Sequence, residues 1–145
     1  MKFQKTIAAV LVITALTGAA LAHSGVSDPH VKARMHAMGQ AQQASKLLSN
    51  MARGRTTFDA DAAAKAKAIL IEVAAQTPAL FTVNASDPVS EARASVWENF
   101  DDFTAKSQNM RDAAEALDVS DIARLGAGMR AVGQSCSSCH KSYRK

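Results

Sequence analysis

Residues 122–145, IARLGAGMRAVGQSCSSCHKSYRK, place Ile122, Leu125, Met129, Val132, Cys136, Cys139 and Tyr143 three and four positions apart. Apolar residues at that interval fall along one stripe of an α-helix, so the run predicts a helix with a single core-facing edge. Ser120 is its expected N-cap. Both cysteines continue the stripe, and His140, four residues beyond Cys136, projects from nearly the same face one turn further on. Such a stripe is stable only when other elements cover it.

The rest of the chain predicts what covers it. Alanine is abundant, prolines number three, and the alternation of β-branched and aromatic residues that marks strands is almost absent, which gives an all-α class. Breakers divide the sequence at ARGRTTFD (52–59), QTPALFTVNASDP (76–88) and ALDVSD (116–121), leaving room for four helices. The first is expected from Asp28 to Ala52, the second from an Asp59 cap to Gln76. The third is expected from an Asp87 cap, with Pro88 at N1, to Leu117, and the fourth is the run already described. Val96, Phe100, Phe103, Ser107, Met110, Ala114 and Leu117 form the stripe of the third, beside Trp97, and Ala62, Ala66, Ile69 and Val73 that of the second. Lys65, Lys67 and Glu72 are read as its solvated face. Helices about 25 to 45 Å long with short connections pack as antiparallel neighbours, and the simplest arrangement is an up-down-up-down four-helix bundle.

The opening MKFQKTIAAVLVITALTGAALA combines two lysines, a short uncharged apolar run and an A-x-A pattern at Ala20 and Ala22. This predicts a secretory signal peptide cleaved after Ala22, with residues 23–145 as one exported, periplasmic domain and no membrane anchor. Removing Lys2 and Lys5 from the 17 basic residues leaves 15 against 13 acidic ones. That near balance, without basic runs interleaved with aromatics, argues against nucleic acid as a partner.

Two cysteines and a histidine serve several chemistries, and spacing separates them. A disulfide across two intervening residues closes a tiny loop and constrains the unfolded chain little. A redox-active pair belongs at a helix N-terminus in an α/β fold, whereas this pair lies late in a helix. Zinc needs a second ligand pair, which His23, His30 and His36 do not supply at matching spacing. C-x-x-C-H is the attachment signature of c-type haem, with Cys136 and Cys139 forming thioethers and His140 ligating iron. One covalent haem c per chain is therefore expected. Gly126, Gly128 and Gly133 each cost the helix about 1 kcal/mol relative to alanine, and the expected return is close approach by a neighbouring group.

Iron has a second axial position, and its occupant separates electron transfer from ligand binding. In an antiparallel bundle, a point early in the first helix lies level with a point late in the fourth. Met38 comes to that end, as do Met35 and His36. A methionine on an amphipathic helix also serves simply as core filling, so the position stays open on the residues alone.

RMHAM (34–38), NMARG (50–54), TFDA (57–60), VWENFDDF (96–103) and CSSCHKSYR (136–144) together resemble the class II cytochromes c, namely cytochrome c′ and low-spin relatives such as cytochrome c-556. The resemblance spans essentially all of residues 23–145, and the haem motif at the C-terminal end is its most specific mark. It implies that an R-x-x-x-[M/L] arrangement falls on Arg34 and Met38. Methionine at the second position implies six-coordinate, low-spin iron between His140 and Met38, hence an electron carrier. The alternative is a five-coordinate cytochrome c′ that binds nitric oxide or carbon monoxide, with Met38 only crowding the distal face. Counting back from NMARG favours Met38 over Met35. Arg34 is by resemblance a candidate partner for a haem propionate, and Arg144 for a contact near the proximal haem face; either could instead be a surface arginine. No general acid or base stands out that would imply an enzyme. Redox partners, and the choice between monomer and homodimer, stay open.

Overall fold

The computed structural model describes residues 25–145; the expected leader, its cleavage point and His23 lie outside them. Helix α1 spans Pro29–Ala52. The Asp28 carboxylate accepts the His30 and Val31 N–H groups at 2.8 and 3.0 Å, and Pro29 stands at a first-turn position where a missing N–H costs nothing. Gly54, at φ +65°, takes the left-handed conformation that stops the helix and donates to the Met51 carbonyl.

Helix α2 spans Ala60–Leu80 from the expected Asp59 cap, which accepts the Ala62 N–H at 2.9 Å. It runs past Pro78, beyond the expected end at Gln76. Proline has no N–H to offer the carbonyl four residues back, at Ala74. In α4, the buried Ser107 hydroxyl supplies the missing donor at 2.8 Å, so the orphaned carbonyl is satisfied across the helix interface and the helix continues.

The third expected helix is shorter than its apolar stripe. Residues 87–94 are irregular, α3 (Ser95–Glu98) is a single turn, and α4 covers Phe100–Glu115 after a break at Asn99. Asp87 does not cap a helix. Its side chain is turned to the start of α1, where one carboxylate oxygen accepts from Ser27 N, Ser27 Oγ and Asp28 N at 2.9, 3.0 and 3.2 Å, and the other from Val89 N at 3.1 Å. These tertiary bonds override the local Asp-Pro start signal. The stripe itself holds: Val96, Phe103, Ser107, Ala114 and Leu117 are buried.

The same donors hold the Asp87 carboxyl down at about 2, with the Val89 N–H as the largest cause. Because the folded value lies below the ordinary carboxylate value near 4, this contribution to stability is complete above about pH 4 and is lost as pH falls through about 2. Asp87→Asn is therefore expected to be less stable than the parent at neutral pH and to show a shallower loss of thermal midpoint between about pH 4 and 2, measured by stepped-pH melting. Equal slopes for the two proteins would rule the carboxylate out as a source of acid sensitivity.

Helix α5 spans Ile122–Tyr143, and its N-cap is Asp121 in place of the expected Ser120: the Asp121 carboxylate accepts from Ala123 N and Arg124 N. The four long helices form a closed ring, α1 against α2, α2 against α4, α4 against α5 and α5 against α1, in an antiparallel four-helix bundle. Leu48, Leu70, Leu117, Leu125 and Val132 fill its centre. Three expectations shift. Ile69 is 41% exposed because the buried stripe of α2 keeps Ala66 and Val73 but runs through Ala63 and Leu70 in place of Ala62 and Ile69. Ile122 is 43% exposed in the first turn of α5. Lys67 is not simply solvated, since its ammonium donates to the Glu115 and Leu117 carbonyls that α4 leaves open. Close approach at a glycine is found at Gly128, where an added Cβ would lie 2.5 Å from Leu117 Cδ1. Among the described residues, no helix is long and apolar enough to cross a membrane.

Candidate functional site

The late turns of α5 carry Cys136 and Cys139 on the buried edge, both half-buried and neither in a disulfide. They meet different parts of the core. Cys136 packs on the aliphatic cluster that includes Leu48 and Val132, and Cys139 on the aromatic cluster of Phe81, Val96, Phe103 and Tyr143. Burial pushes both thiols above their ordinary pKa, so they stand as neutral, unpaired thiols.

His140 follows on the exposed rim. Partial desolvation, then the nearby Arg144 charge, lowers its pKa, which favours the neutral imidazole that can ligate a metal. The turn that carries it is held by Tyr143. That ring meets Phe103 edge-on at 5.3 Å, and its hydroxyl donates to Asp102 at 2.5 Å and lies 3.4 Å from the Asn99 carbonyl. Burial and the Asp102 carboxylate push the phenol up to about 12.

Across the α1–α5 interface, Met38 is half-buried and packs on the same aliphatic cluster as Cys136. Met35 is half-buried too but is not one of the side chains packed on that cluster, and His36 and His30 are exposed. Helix register therefore presents a thioether from α1, two thiols and an imidazole from α5, at one end of the bundle.

The two arginines have partners within the chain. Arg34 is 4% exposed. Its guanidinium donates to the Leu80, Ala85 and Val83 carbonyls, the first two at 2.9 and 3.2 Å, and lies over the Phe81 and Trp97 rings at 4.5 and 5.2 Å. Three of its five donors thus go to backbone carbonyls, because a buried fork-shaped cation in a carbonyl-lined loop finds partners there. Arg144 is exposed and pairs with Glu91 at 2.5 Å. Asp102 and Glu91 were not singled out in the sequence and Asp87 only as a helix cap, and no spacing marks their tertiary roles: each acts on a partner about 40 to 60 positions away.

Residues 29–144 match the family model described as cytochrome c′. The chain is 33% identical to a cytochrome c-556 of Agrobacterium fabrum strain C58, over 97% of this chain and 94% of that one. Among solved structures, cytochrome c′ of Rhodopseudomonas palustris superposes with a TM-score of 0.76 at 25% identity, covering 82% of this chain and 98% of that one. A cytochrome c′ variant of Alcaligenes xylosoxidans, solved as its nitric oxide complex, gives 0.71 at 27% identity over 80% and 94%.

Proposed function

Since the chain belongs to the cytochrome c′ family, we propose that it is an exported, periplasmic electron carrier with one covalent haem c, its iron held between His140 and Met38. The coarser statement, a haem cytochrome that carries electrons or binds a small gas, follows from the family. The observation that carries the finer one is Met38, packed from α1 on the same cluster as Cys136 from α5. The residues present fit the group: two unpaired thiols one turn apart on the core-facing edge, and a histidine with lowered pKa beside them.

When bound, haem c supplies the ferric–ferrous couple. Cys136 and Cys139 anchor it through two thioethers on one helix. His140 gives a neutral nitrogen and Met38 a soft sulfur, a pair that favours the ferrous state relative to two imidazoles. The aliphatic cluster under Cys136 and Met38 excludes water, and two fixed ligands from packed helices limit rearrangement on each transfer. Electron exchange asks nothing further of the chain, neither an open coordination position nor an acid or base, so no enzymatic role is proposed. The leader expected from the sequence of residues 1–22 supports the export in this reading.

Gas binding is the second reading, favoured by the nitric oxide complex of the Alcaligenes relative; in it Met38 covers the distal face without ligating. Absorption spectra of the purified holoprotein decide. A low-spin ferrous spectrum and a far-red ferric band from sulfur ligation are the expected result. A high-spin spectrum with ready carbon monoxide binding would transfer the assignment to the gas-binding reading.

A further inference from the structure

The segment between α2 and α4 is tied at both ends to elements that carry the proposed iron ligands. At the α1 end, Asp87, itself 5% exposed, accepts from Ser27 and from Asp28, the residue that caps α1. Arg34, further along α1, donates to the Leu80, Val83 and Ala85 carbonyls. At the α5 end the connection is made by backbone. Arg93 N donates to the Tyr143 carbonyl at 2.9 Å and Lys145 N to the Glu91 carbonyl at 2.8 Å, an antiparallel bridge centred on Ala92 and Arg144. The Ser95 hydroxyl adds a bond to the Ser142 carbonyl at 3.0 Å, and Glu91 pairs with Arg144. The segment from Glu91 to Ser95 thus grips the turn after His140, and the segment from Leu80 to Asp87 grips the helix that presents Met38. Only three residues separate the two grips.

Direct packing of α1 on α5 is the lightest of the four interfaces in the ring, so the relative placement of these two helices depends on something besides their own contact. We propose that residues 80–95 are a strap that sets the position of α1 against the last turn of α5, and that Asp87 is the positioning residue at its α1 end. The proposal rests on the reading in which Met38 and His140 face one iron. A carboxylate is required because one oxygen takes three donors while the other takes Val89 N; an amide has a single acceptor oxygen and cannot do both.

Carbon monoxide binding to the ferrous holoprotein tests the strap, because Met38 has to vacate the iron for the gas to enter and its hold depends on where α1 stands. Asp87→Ala and Asp87→Asn are compared with Lys67→Met, which destabilises the opposite end of the bundle by uncapping α4. The expected result is an apparent carbon monoxide affinity at least about tenfold higher in the Asp87 variants, together with a shifted reduction potential. Lys67→Met should lower the melting temperature without either change. If the Asp87 variants melt earlier yet bind carbon monoxide within about twofold of the parent, the segment is only structural and the strap is overturned. Should Asp87→Ala fail to fold, Asp87→Asn, which keeps the size of the side chain, gives the same readout. A parent protein that already binds carbon monoxide readily removes the Met38 ligation instead. The strap's role at the iron goes with that ligation, whereas an unchanged affinity in the Asp87 variants of a parent that binds carbon monoxide poorly overturns the strap alone.

Discussion

Met38→Leu converts the holoprotein to a high-spin form that binds carbon monoxide at least about a hundredfold more tightly than the parent. Leucine keeps nearly the volume of methionine and stays apolar, so packing on the aliphatic cluster changes by less than about 1.5 kcal/mol while the sulfur is gone. Attachment is unaffected, because Cys136, Cys139 and His140 all stand on α5, and the haem content per chain is the same. Met38→Ala gives the same spectrum with a further loss of about 2 kcal/mol in stability, the low end for a buried methionine, because Met38 is itself only half-buried against the core cluster. The measurement is the ferric far-red band with a carbon monoxide titration of the ferrous form. Survival of that band in Met38→Leu would move the ligand to Met35, which lies three residues earlier on α1.

The second large effect is on stability. Arg34→Ala leaves the Leu80, Val83 and Ala85 carbonyls without their donor and removes the cation between Phe81 and Trp97. Unsatisfied acceptors and lost packing together cost about 3 kcal/mol, on the order of 10 °C in melting temperature. Arg34→Lys recovers little of this, because a point charge on a flexible stem cannot reproduce three bonds from one planar fork. A propionate partner behaves differently: lysine would restore it in part, and the melting temperature would change less than the reduction potential. Thermal melting of the three holoproteins, with potentials measured alongside, separates the two roles.

The sequence made some of this legible and not the rest, for reasons that can be named residue by residue. Stripes at helical spacing predicted the bundle because burial along a helix is a local pattern, and Phe103, Leu117, Leu125 and Val132 lie where that pattern puts them. The start of the third helix failed because Asp87-Pro88 is a good local start, yet the Asp87 carboxylate finds stronger partners in Ser27 and Asp28, sixty positions upstream. Pro78 read as a stop because the donor that rescues Ala74 is a serine on another helix. For the candidate site, C-x-x-C-H is contiguous and could be read directly, whereas antiparallel register brought Met35, His36 and Met38 alike to that end and only the resemblance favoured Met38. Arg34 could not be placed, since three carbonyls in a loop carry no side-chain signature at all.

The Ser107 hydroxyl, buried against the Ala74 carbonyl, makes two distant positions answer for one another. With proline at 78, the carbonyl at 74 depends on a hydroxyl at 107, and replacing that serine by alanine strands an acceptor in the core. With any other residue at 78, an amide N–H would take the carbonyl from within the helix, and the hydroxyl would become the group in search of a partner. What is tolerated at 107 is thus decided at 78. The last turn of α2, which delivers Phe81 to the aromatic cluster beneath Cys139, is complete only once α4 has docked, so assembly of that end of the haem crevice is a joint event of two helices.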